Sequence, residues 1–201
     1  MSDPLIIGAA VAVAALVAVV LVRMFNTLVD YRNRYLNAFA QIQVQLKRRH
    51  DLIPNLVEAT KAYLDHESET LEKVIAARNS AATKLGAATA QPSTTALAEV
   101  GAAEGLLTGA MRQFSMVVEA YPELKANDNI LFLTEELTST ENKIGFSRQL
   151  YNDLVTIYNT FRQSFPAVLI ASSLGHAKDA PMLEFEDHPV IQQAPQVALS
   201  C

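Results

Sequence analysis

His50 and Asp51, with Arg48, Arg49 and Glu58 close by, are the densest group of proton-moving side chains in this chain. An imidazole and a carboxylate within reach of each other can act as a general acid–base pair. The same residues can also build a turn, with Asp51 capping a helix and the basic groups pairing with acids. The turn is the stronger reading. His66-Glu67-Ser68-Glu69-Thr70 begins like the zinc motif H-E-x-x-H. Thr70 stands where the second imidazole must ligate, so no metal is expected. There is no G-x-S-x-G and no glycine-rich phosphate loop. Cys201, the sole cysteine, has no intrachain disulfide partner and is a poor candidate nucleophile. These residues predict neither catalysis nor a cofactor.

Polar groups at heptad spacing are a second kind of candidate. Asn26 and Asn33 lie seven apart, as do Asn152 and Asn159, and Glu141 and Arg148. If the helices carrying them run antiparallel, Asn26 faces Asn159 and Asn33 faces Asn152, and Phe39 meets Phe146. Amides in a seam would set its register at some cost in stability. Glu141 and Arg148 flank the same stripe and are expected to find polar partners on a neighbouring helix.

The elements that must position these groups are helices. The fold class expected is all-α: an N-terminal transmembrane helix, an antiparallel up-down four-helix bundle of long helices, and a flexible C-terminal tail. The bundle takes residues 23–165. Its first helix should cover about 23–50, with apolar Leu28, Tyr35, Phe39, Ile42 and Leu46 on one stripe. Asp51 then caps a second helix over about 52–85, and Pro54 sits in its first turn, where a missing N–H does little harm. The third helix, about 96–121, has the cleanest pattern. Leu97, Val100, Glu104, Leu107, Met111, Phe114, Val118 and Tyr121 alternate spacings of three and four, and only Glu104 breaks the apolar series. On it Gly101, Gly105 and Gly109 recur every four residues and point to a close helix–helix approach. The fourth helix, about 129–164, stops at Phe165-Pro166. Residues 166–201 are expected to form a membrane-proximal segment and then a tail that is mostly extended or disordered.

Residues 5–22 (LIIGAAVAVAALVAVVLV) form one uncharged apolar run. Eighteen helical residues rise roughly 27 Å, close to the hydrocarbon thickness of a bilayer. Only residues 1–4 precede the run, without the basic stretch of a signal peptide. Arg23, Arg32 and Arg34 follow it, which places the bundle in the cytoplasm and the short N-terminus outside. The net charge of −5, without a basic stripe, argues against a nucleic-acid partner.

Residues 41–58 read QIQVQLKRRHDLIPNLVE. Upstream stands FNTLVDYRNRYLNAF; downstream stand TEN-(x)5-R-(x)2-YN, which includes Glu141, Asn142, Arg148 and Asn152, then SFPAVLIASSLGH and LEFED. With these the chain resembles the LemA family over nearly its whole length. The resemblance implies a membrane-anchored helical bundle and brings no catalytic residues to carry over. It implies a single-pass scaffold or adaptor at the bacterial inner membrane. Its partners would be membrane or membrane-associated proteins, a membrane protease among them. Self-association is also expected, since Gly8 and its small neighbours can support helix contact. The rival reading is a tethered hydrolase with its site at a membrane-distal turn over residues 47–58, or a protease-associated sensor.

Overall fold

A computed structural model describes residues 4–64 and 67–185, with the backbone alone at Leu5 and Lys125. His66, Cys201 and the tail beyond Phe185, and the expectations attached to them, lie outside these residues. The protein is helical, with no strand among the described residues. Helix α1 spans Pro4–Lys61, α2 Ser68–Ala90, α3 Thr94–Glu119, the single turn α4 Pro122–Lys125, and α5 Asp128–Gln163. A short 3-10 turn follows at Ala167–Leu169.

The expected turn at Asp51 does not exist. Helix α1 passes straight through Pro54 and ends near Lys61. Proline at position 54 cannot donate to the carbonyl of residue 50, four positions earlier, and an orphaned interior carbonyl is what breaks or kinks helices. Here the Arg78 Nε–H of α2 donates to the His50 carbonyl at 2.8 Å. The Arg78 guanidinium also lies 3.8 Å from Asp51. Asp51 is exposed and caps nothing; α1 ends instead at Lys61, and α2 begins at Ser68. This carries a prediction. Arg78→Met costs about 1–3 kcal/mol, the penalty of a buried acceptor left unmade. In a Pro54→Ala background the alanine N–H takes over the carbonyl, and the cost of Arg78→Met falls below about 1 kcal/mol. Equal costs in both backgrounds, by urea unfolding, contradict this explanation.

The later boundaries follow ordinary capping. Ser93 Oγ accepts from the Ala96 N–H at 3.1 Å and starts α3. Asn127 Oδ1 accepts from the N–H groups of Asn129 and Ile130 and starts α5. Helix α2 runs to Ala90, past the expected loop start at residue 86, so its connection to α3 is only three residues.

The chain divides into two compact units. The first combines residues 1–38 with 150–180. In it α1 and the end of α5 run antiparallel. Tyr35 packs against Tyr151 and Tyr158, with ring centroids 6.3 and 5.2 Å apart, and Tyr31 meets Phe161 edge-on. These aromatic pairs, not asparagines, set the register. Asn26 and Asn33 are exposed on α1. The Asn159 amide bonds both ways with the Ala180 backbone: its Nδ2 donates to the carbonyl at 2.9 Å and its Oδ1 accepts from the N–H at 2.8 Å. The expected pairing of Asn26 with Asn159 is therefore replaced by a clamp on the segment after α5. Arg162 and Gln163 strengthen that clamp through Asp179. Hydrogen bonds from Gln163 and then Arg162 hold the Asp179 carboxyl below its usual range. His176 is buried beside Tyr158, its Nδ1 at 3.0 Å from the hydroxyl. Burial, then the charge of Arg32, pushes the His176 pKa down and favours the neutral ring.

The second unit combines residues 39–149 with 181–201 and is described to Phe185. Helices α2 and α3 pack as a hairpin. Alongside them, Gln43 bonds Thr89 and Arg78 bonds the residue 50 carbonyl, so α1 and α2 are antiparallel. Leu56, Val74, Leu107, Phe114, Leu124 and Ile130 are among the buried core side chains. Phe39 is buried here, but Phe146 is 74% exposed and fills no seam. Residues 181–185 have no regular secondary structure, yet they are packed. Leu183 and Phe185 are buried, and the Arg148 guanidinium stacks 4.6 Å over the Phe185 ring. The Glu184 carbonyl lies so close to Gly101 that a Cβ there would be 1.9 Å away. At Gly101 the close approach is thus with the backbone of Glu184, not with a helix. At Gly109 a Cβ would meet open space.

Candidate functional site

Within the second unit, the one acid in the apolar series of α3 organises a buried polar cluster. Glu104 is 0% exposed, and Arg49 and His50 of α1 are 4% and 3% exposed. His50 Nε2 lies 2.7 Å from Glu104 Oε1. An Arg49 N–H donates to Glu104 Oε2 at 3.3 Å, and a second donates to the Thr108 hydroxyl at 3.1 Å. Glu104 and Thr108 sit four apart on α3, hence on one face, so a single guanidinium spans both. Adjacent positions on α1 then bring both side chains to the two oxygens of one carboxylate. The groups satisfy each other, which buried charge requires.

The structure therefore brings together two of the residues singled out in the sequence, Arg49 and His50, and separates them from the rest. Arg48 points outward and pairs with Glu136 of α5. Asp51 and Glu58 are exposed. Glu104 was legible only as an interruption of the α3 stripe. An acid at a seam position signals a buried basic partner, and that signal was available. Among the described residues, no group of three His, Cys, Asp or Glu side chains is placed to hold a metal ion.

Beside this cluster a groove of about 660 Å³ opens between α1, α3, α4 and α5. That volume lies within the range of ligand sites. Its floor is apolar, from Leu56, Phe114, Leu124, Ile130 and Leu137, all buried. Arg49 and Thr108 close one end, and Arg112, Glu119 and Glu141 form a charged border. Along α3 the groove runs from Thr108 to Glu119 and along α5 from Ile130 to Glu141. Eleven steps of helix give it a length of about 16 Å. On the outer side of α5 a second depression, lined by Thr134, Thr138, Asn142 and Phe146, shares two of these residues. Glu141 and Asn142 are exposed and mark this border. His50 and Glu104 do not line either opening.

Comparison with known proteins agrees with this architecture. A model of the LemA family matches residues 38–199, well over half of the chain. The match begins beyond the apolar run. Protein LemA of Metamycoplasma hominis is 28% identical over 150 residues, which are 74% of this chain. The chain spans 64% of that relative's length.

Proposed function

The chain belongs to the LemA family, and from that premise we propose that it is a single-pass, membrane-tethered scaffold that holds partner proteins without performing catalysis. The observation that carries this reading is α1 itself. Its most apolar 18-residue window has a mean hydropathy of 2.7 and is 0% buried, and the same helix continues into the bundle. A soluble protein would cover such a surface, because exposed apolar area on this scale is costly in water. Arg23, Arg32 and Arg34, directly after the run, support a cytoplasmic bundle with the N-terminus outside, at a bacterial inner membrane.

A binding role rather than a catalytic one is supported by the cluster's saturation. His50 and Glu104 are spent on each other and on Arg49, away from the groove. The turn on which the hydrolase reading placed its site is absent, since residues 47–58 lie within a continuous helix. The groove suits the apolar face of a partner helix: it is about three helical turns long, apolar along its floor and charged along its border.

Photo-crosslinking tests this directly. With a photoreactive residue at Leu131, on the groove, the full chain in native membranes should give discrete protein adducts. The same residue at Leu106, exposed on α3 and outside the groove, should not. Mass spectrometry identifies the adducts. Equal or absent crosslinking at the two positions contradicts the groove as the partner site.

A further inference from the structure

The turn after α5 presents its side chains in the reverse of the usual order. Phe165, Val168 and Leu169 are 80%, 48% and 71% exposed, whereas the small Ala167 and Ala171 are buried. No Asp, Glu, Lys or Arg occurs between Arg162 and Lys178. Four of its backbone N–H groups are paired within the turn: Val168 donates to the Ser164 carbonyl, Leu169 to that of Pro166, and Ile170 and Ala171 to that of Ala167. A segment with no formal charge and this much internal pairing loses little on moving from water into the boundary region of a bilayer. Within the same unit, Pro166, Leu169 and Ile170 share an apolar pocket of about 280 Å³ with Leu16, Val20 and Met24 of α1.

That last contact identifies what covers the patch. Leu16 and Val20 belong to the apolar run, and Val22 ends it. Leu16 lies six residues inside that end, which is about 9 Å of helix rise. This is the depth to which interfacial apolar segments enter the boundary between headgroups and acyl chains. Whatever surrounds Leu16 must also surround Leu169. We propose that Phe165, Val168 and Leu169 insert into the same bilayer leaflet as the C-terminal end of the run, as a second lipid contact of this unit. The inference rests on the tethering proposed above. Its consequence is mechanical: one helix alone can spin about its axis, whereas a helix with a wedge beside it presents a fixed side to the lipid.

The chain contains no tryptophan, so a single introduced indole reports from one site. Four full-length variants, V13W, F165W, L169W and L106W, are reconstituted in phosphatidylcholine vesicles. The lipids are brominated near either the glycerol end or the methyl end of the acyl chains. Circular dichroism checks each fold. V13W should be quenched most by the deep bromines. F165W and L169W should lose fluorescence most to the shallow bromines and emit to the blue of L106W, which neither lipid quenches. If F165W and L169W behave like L106W while V13W is quenched, the wedge is refuted and the tether stands. If V13W is also unquenched, both fall.

Discussion

Replacing Glu104 with alanine will destabilise the protein by about 3–5 kcal/mol, the cost of leaving a buried charge without its partner. The carboxylate receives Arg49 on one oxygen and His50 on the other, and no part of it reaches solvent. Removing it leaves the Arg49 guanidinium with the Thr108 hydroxyl, in a site that is 4% exposed. Glu104→Gln keeps the shape and removes the charge, so it should fall between alanine and the parent. A second variant tests the desolvation cost. Replacing Arg49, His50 and Glu104 together by apolar residues of similar volume should be neutral or stabilising, because the desolvation of three polar groups disappears with their attraction. Urea unfolding measures both. A Glu104→Ala cost below about 1 kcal/mol, the scale of a solvent-exposed pair, contradicts the buried cluster.

The second large effect is expected at Gly101, and its sign is diagnostic. In the interior of an ordinary helix, Gly→Ala stabilises by about 1 kcal/mol through backbone entropy. At Gly101 the new methyl would sit 1.9 Å from the Glu184 carbonyl oxygen, and that contact is backbone, not the flexible end of a side chain. Either α3 or the segment carrying Leu183 and Phe185 must move. Both of those side chains are buried, and fully exposing one such residue costs about 1.5–3 kcal/mol. Gly101→Ala should therefore destabilise by about 2–5 kcal/mol. It should also speed hydrogen exchange at residues 181–185. Gly109→Ala, where the methyl meets open space, should stabilise slightly. A stabilised Gly101→Ala protein with unchanged exchange would show that the tail does not pack there.

Helix existence was legible in the sequence, because spacings of three and four over long stretches allow no other regular structure. The continuity of α1 was not. Proline at position 54 is a local signal to stop, and it is overruled by Arg78, a residue 24 positions away whose guanidinium replaces the missing N–H. Nothing local announces such a donor. The buried cluster was half legible: Glu104 interrupts an apolar stripe, but its partners could be chosen only once the phase of α1 against α3 was known. Reading Asp51 as a cap put Arg49 and His50 at a solvated end of a helix instead of inside one. The expected pairing of Asn26 with Asn159 failed for a related reason. Asn159 is satisfied by the backbone of Ala180, in a segment with no periodicity to read, while Asn26 and Asn33 face solvent. The tail segment's packing depends on Gly101 lacking a side chain, so its signal lay in α3 and not in the tail.

Both the scaffold and the lipid wedge depend on residues 5–22 holding the protein in a bilayer. Alkaline carbonate extraction of membranes carrying the full-length chain measures that dependence. Carbonate strips proteins that are bound by charge or by partner contacts and leaves those with a spanning helix. The protein should remain wholly in the membrane pellet after carbonate and enter the supernatant only with detergent. Release by carbonate alone would contradict the tether, and with it the account of the protein as a membrane-bound scaffold.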